Sequence, residues 1–76
     1  MASTRSELYQ ALLAALIQAR KDAGLTQVEL AERIGQRQTF ASKYEVGERR
    51  LDVAEYVFIA KAIGSDPLRL ILSSKA

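Results

Sequence analysis

Start signals for helices recur along this chain and constrain its fold more than any other feature. The stretches TQVE (26–29) and DVAE (52–55) each place a capping side chain three positions before a glutamate, which is the pattern of a capping box at a helix N-terminus. Asp66 followed by Pro67 is a third start signal, because proline suits the first position of a helix. No stretch alternates between apolar and polar residues as a half-buried strand does. The sequence therefore predicts an all-α fold.

Apolar spacing and glycine stop signals give the expected helix bounds. Apolar residues three and four positions apart predict a long first helix, and glycines follow the first four segments. The expected inner stripe of the first helix is Leu8, Leu12, Leu16 and Ala19, beside a second stripe of Tyr9, Leu13 and Ile17, and that of the fourth helix is Val53, Tyr56, Val57, Ala60 and Ile63. The five predicted helices are 6–23, a segment of barely two turns after Thr26, 37–46, the segment between Asp52 and Gly64, and 67–73.

Size and residue usage exclude several classes of protein. With 76 residues the chain has room for one domain, 1–76. Cysteine and histidine are absent, so we expect no disulfide, no metal, no cofactor and no enzyme activity. The longest apolar run, residues 11–17, is too short to cross a bilayer, and charged residues follow it where a signal peptide needs small ones. These features predict a cytoplasmic protein with no evident small-molecule ligand.

Positive charge is concentrated in the middle of the chain. The formal net charge is only +2, but residues 33–50 contain five basic residues and two acidic ones. A local basic surface suits an anionic partner, although a solvated segment can also have this composition by chance.

The third predicted helix has one polar face. With about 100° per residue, four polar side chains share an arc of about 140°, and Ala41 and Tyr44 fall on the opposite side. An amide can pair with adenine, lysine can donate to guanine, and the threonine methyl can pack on thymine, so the arc suits the major groove of DNA. A merely solvated face is the alternative. The predicted base-reading residues are Gln38, Thr39, Ser42 and Lys43.

The second and third helices together fit a helix-turn-helix. Small and apolar residues at Leu30, Ala31 and Ile34, with a turn residue at Gly35, suit two short helices that cross steeply. With the stretches LTQVELAERIG and SKYEVGERR, the chain resembles the lambda-repressor-like (Cro/cI, XRE) family of DNA-binding domains over about residues 16–70. The resemblance implies a five-helix domain that binds double-stranded DNA.

The resemblance also implies roles for individual residues. Arg20 and Glu45 occupy positions that form an ion pair in many relatives, and we expect that pair here, at least partly buried. Phe40 either fills space left by the small Ala41 or contacts DNA. Gln36 and Arg37 depart from the residues common in the family, and both could reach the DNA. The expected phosphate contacts are Gln27, Gln36, Arg37, Arg49 and Arg50.

The implied function is a sequence-specific transcriptional regulator of the repressor or controller type, cytoplasmic and nucleoid-associated, that binds an inverted repeat as a homodimer. A protein-interaction or antitoxin-like adaptor with the same fold, for which DNA binding is secondary, is the alternative function. Apolar residues beyond the needs of the core predict the dimer interface, with core packing as the other use for each of them. The expected interface residues are Phe58, Leu68, Leu70, Ile71 and Leu72.

Overall fold

The computed structural model describes residues 3–74, which form five α-helices and no strand, as expected. Within this range no helix is long and apolar enough to cross a membrane. The helices are α1 (Ser3–Asp22), α2 (Gln27–Arg33), α3 (Gln38–Val46), α4 (Val53–Ile63) and α5 (Pro67–Ser73).

Both capping boxes form. The Thr26 hydroxyl accepts the Glu29 N–H at 3.0 Å, and the Glu29 carboxylate accepts the Thr26 N–H at 2.9 Å. Asp52 and Glu55 repeat this exchange at the start of α4, with distances of 2.7 and 2.9 Å. Each box satisfies N–H groups that the first turn of a helix leaves unpaired, so these starts follow from local sequence.

Two helix starts differ from the prediction. α1 begins at Ser3 rather than at residue 6, since no glycine or proline interrupts residues 3–6. α3 begins at Gln38, and Arg37 is its N-cap, with an extended backbone. The reason is the tight turn before it: Gly35 has a φ of +70°, and the next residue, Gln36, donates its N–H to the Ala31 carbonyl at 2.9 Å.

The core lies where α1, α2, α3 and α4 meet. α2 packs against α3 and α4, while α5 packs against α1 and α4. The fourth helix therefore has neighbours on two sides. The largest fully buried side chains are Leu16, Leu30, Tyr44 and Ile59, one from each of these four helices.

The buried faces of α1 and α4 differ in part from the predicted stripes. Leu13 is 4% exposed, whereas Leu8 is 47% exposed. On α4, Ile59 is 1% exposed although the predicted stripe omitted it, and Val53 in the first turn is 79% exposed. Helical periodicity gives the direction of a stripe but not the position of the neighbouring helices, and α4 faces both α1 and α2.

Two buried tyrosines give a matched test of core polarity. The Tyr56 hydroxyl donates to the Leu12 carbonyl at 2.7 Å, whereas the Tyr44 hydroxyl is buried and has no hydrogen-bond partner among the described residues. Burial raises the pKa of Tyr44, because it disfavours the phenolate. We expect Tyr56→Phe to lower the free energy of unfolding by about 1 kcal/mol and Tyr44→Phe to leave it unchanged or raise it. Urea denaturation of the two variants checks this, and an equal loss in both would contradict it.

Candidate nucleic-acid interface

The predicted arc of α3 faces away from the core. Ala41 and Tyr44, on the opposite side of the helix, are each 0% exposed. Gln38, Thr39 and Lys43 are exposed, while Ser42 is partly buried at the edge of the arc. Packing thus leaves a row of polar side chains on the exposed side of a helix whose other side is buried in the core. Val46, which was not among the predicted base contacts, adds an apolar side chain that is 69% exposed at the end of α3.

The ion pair expected between Arg20 and Glu45 is present. Arg20 Nε lies 2.8 Å from Glu45 Oε2 and Nη2 lies 3.1 Å from Oε1, so the contact is bidentate. The two side chains are only 10% and 6% exposed. The hydrogen bonds that Arg20 donates to Glu45 raise the pKa of Arg20, and Arg20 Nη1 also donates to the Leu25 carbonyl at 2.7 Å. The pair ties the last turn of α3 to the last turn of α1.

A chain of hydrogen bonds leads from this ion pair to the exposed arc. Gln27 Nε2 donates to Glu45 Oε1 at 2.9 Å, and Gln27 Oε1 accepts from Gln38 Nε2 at 3.0 Å. Gln38 keeps its Oε1 and its second Nε2 hydrogen for another partner. The Gln38 amide is therefore oriented by Gln27, which is in turn held by a buried carboxylate. The sequence prediction missed this link because Gln27 and Gln38 lie on different helices.

The residues expected to contact phosphate differ in how they are held. Gln36 and Arg37 are exposed at the turn between α2 and α3. Arg49 is already engaged inside the protein: its Nη2 and Nη1 lie 2.7 and 3.1 Å from the Glu55 carboxylate oxygens, and Nη1 also donates to the Arg50 carbonyl at 3.1 Å. The hydrogen bond from Arg49 lowers the pKa of Glu55. Three hydrogen bonds leave Arg49 with fewer N–H groups for DNA than an unpaired arginine has.

Phe40 packs inward, as one of the two open alternatives requires. It is partly buried against the core, and its ring centroid lies 5.7 Å from that of Tyr44 in an edge-to-face arrangement. The carbon of the Arg49 guanidinium lies over the Phe40 ring, 4.7 Å from its centroid. The ring supports the loop after α3.

The expected dimer residues do not form a single cluster. Phe58 is 56% exposed and lines a small cavity with Gln36 and Phe40, beside the helix-turn-helix. Ile71 instead lines a groove with Tyr9, between α1 and α4. Leu70 is partly buried and packs against the core, so its apolar surface is largely used within the protomer. The remaining two, Leu68 and Leu72, are 62% and 74% exposed.

No group of three or more histidine, cysteine, aspartate or glutamate side chains within residues 3–74 is arranged to hold a metal ion. The site is instead a protein surface whose chemistry consists of amides, hydroxyls and cations.

Comparison with known proteins agrees with this geometry. A helix-turn-helix family model of the XRE, lambda-repressor-like type matches residues 16–70. Among solved structures, the chain is similar to an XRE-family like protein from Pseudomonas syringae pv. tomato str. DC3000, with 47% identity and a TM-score of 0.86 over 95% of this chain and 92% of that one. No curated protein matches it. The chain belongs to the XRE helix-turn-helix family of DNA-binding transcription regulators.

Proposed function

We propose that this protein is a sequence-specific regulator of the repressor or controller type, which binds an inverted-repeat operator in the cytoplasm as a homodimer. The observation that carries the proposal is the Gln38 amide, exposed on α3 and held in place by Gln27. A side chain that is only solvated has no need of a hydrogen-bonded support that ends in a buried ion pair. Such support is what a base-reading amide requires, because recognition of a base edge depends on direction.

The arc offers a distinct reading chemistry at each position. Gln38 can donate to adenine N7 and accept from adenine N6 with the two groups left to its amide. Lys43 can donate to guanine, and the Thr39 methyl can pack on a thymine methyl. Ser42 is partly buried, so it can contact at most a base at the edge of the surface that the other three residues cover.

Contacts to the DNA backbone supply affinity without sequence preference. The exposed Gln36, Arg37 and Arg50 flank the arc, and Gln27 lies at the start of α2 beside it. Arg37 and Arg50 neutralise phosphates and release counterions, so their contribution to binding falls as salt rises, whereas the neutral amides of Gln36 and Gln27 can only hydrogen-bond to phosphate oxygens. Arg49 contributes chiefly by holding the loop, since Glu55 occupies one side of its guanidinium.

The small size of the surface supports the proposed homodimer, because one recognition helix covers too few base pairs to select an operator. Two copies related by a twofold axis place their recognition helices about 34 Å apart, one turn of DNA. Exposed apolar side chains remain available for this contact at Phe58, Leu68 and Leu72.

Charged substitutions on the exposed apolar residues test the dimer. We expect Phe58→Glu and Leu72→Glu each to weaken self-association at least tenfold, about 1.4 kcal/mol, because each places a charge in an apolar contact between protomers. Both side chains are more than half exposed, so neither change disturbs the core. Sedimentation equilibrium with and without duplex DNA measures the effect. A dimer that survives both substitutions would place the interface elsewhere, and loss in only one variant would locate it.

Selection from random duplex DNA tests the function itself. The purified protein is mixed with the duplex pool at moderate salt, and the retained molecules are sequenced. We expect an enriched inverted repeat with half-sites about one helical turn apart. Binding without enrichment, with a steep salt dependence, would indicate phosphate contacts alone. No binding at low salt would favour the adaptor function instead.

A further inference from the structure

Tyr9 lies on the first half of α1, before the stretch 16–70 that matches the family model. Its side chain is partly buried and packs against the core. It also reaches the segment between α3 and α4, residues 47–52, which carries Arg50. The helix-turn-helix match therefore does not account for this residue.

Two contacts join Tyr9 to that segment. Its hydroxyl accepts the Leu51 N–H at 3.1 Å, across 42 positions of the chain. The Arg50 guanidinium carbon lies 4.3 Å from the centroid of its ring. Because the Leu51 N–H belongs to the peptide that follows Arg50, one contact fixes the backbone at this residue and the other fixes its side chain. The carbonyl of the same peptide accepts from Arg49, so both of its polar groups are held.

We propose that Tyr9 is a positioning residue for DNA-backbone binding, which presents the Arg50 guanidinium to a phosphate. The inference rests on the proposed DNA-binding function and adds to it a residue outside the matched stretch. Attraction to the ring uses the charge of the guanidinium and none of its five N–H donors, so the same group can bind a phosphate at once. An arginine whose rotamers are already restricted loses less freedom on binding.

The alternative is that the ring holds Arg50 away from DNA. It predicts a change of opposite sign in DNA affinity when Tyr9 is replaced. If Tyr9 competed with the phosphate, its removal would strengthen binding. If Tyr9 presents Arg50, its removal weakens binding, and only while Arg50 is present. The sign and the dependence on Arg50 therefore separate the two.

The experiment is a double-mutant cycle on binding to a fluorescently labelled duplex of random sequence, measured by anisotropy across a salt series. We expect Arg50→Ala to weaken binding about fivefold and to reduce the salt slope by about 1. Tyr9→Leu should weaken binding about threefold, and Tyr9→Phe, which keeps the ring, about twofold. In the Arg50→Ala background neither Tyr9 change should have a further effect. Arg69→Ala, which removes an equal charge from α5, is the control and should leave the slope unchanged.

The outcomes are distinct. A Tyr9 effect that persists in full without Arg50, or a gain in affinity, would overturn the inference. Urea titration identifies any variant that is partly unfolded, and Tyr9→Phe retains the packing if Tyr9→Leu does not fold. A wild-type protein that binds no duplex even at low salt would refute the proposed function. Binding by the wild type with no coupling between Tyr9 and Arg50 would refute only the role of Tyr9.

Discussion

Replacing Glu45 with alanine should lower the free energy of unfolding by about 3 kcal/mol, because it leaves the Arg20 guanidinium buried without its carboxylate. Arg20 is 9% exposed, and its hydrogen bond to the Leu25 carbonyl is then its only remaining polar contact of those found within residues 3–74. In a domain of this size each kcal/mol corresponds to about 4–8 °C in melting temperature. A thermal melt should therefore show a fall of well over 10 °C.

A double-mutant cycle separates the ion pair from general effects of truncation. Arg20→Met and Glu45→Leu should each be strongly destabilising alone, since each leaves one charge buried and unpaired. The double variant should recover most of the loss, because an apolar pair of similar volume has no charge to desolvate. Coupling of at least about 3 kcal/mol is expected, as large as the loss in either single variant, and strictly additive losses would show that the ion pair does not hold α3 to α1.

The local features of this fold were predictable and the crossings between helices were not. The exchange between Thr26 and Glu29 depends on residues three apart, so sequence alone identifies it. Whether Ile59 or Val53 is buried depends on where α1 and α2 lie against α4, which no local pattern records. Periodicity and capping signals therefore predict elements better than they predict the faces on which the elements meet.

The site shows the same division between local and distant information. The outward position of Gln38 and Lys43 followed from helical spacing around the small Ala41. The pairing of Arg20 with Glu45, 25 positions apart, was expected only because the chain resembles a family in which these positions pair. The contact between Tyr9 and Arg50 had no such guide, since neither spacing nor the resemblance relates the two residues.

Gln38→Ala should weaken binding to the selected operator. The expected loss for each half-site is about 2 kcal/mol, which is about 30-fold, because the change removes a bidentate contact to one base. Base preference should be lost at a single position of each half-site. The affinity for random duplex should stay within about twofold of the wild-type value, since Gln38 is not expected to contact a phosphate. The change is measured by repeating the selection with the variant and titrating both duplexes. Gln18→Ala, which truncates an amide on α1 that bonds to Asp22, is the matched control and should change neither.

Gln27→Ala then decides whether the hydrogen-bond chain is functional. If Gln27 orients Gln38, its removal should relax preference at the same base position, by a smaller factor, and should add nothing to that loss when Gln38 is already alanine. Its own phosphate contact would show separately, as a weaker affinity for every sequence. Preference that survives intact in Gln27→Ala would mean that Gln38 orients itself, and the link to the buried Glu45 would then serve stability alone.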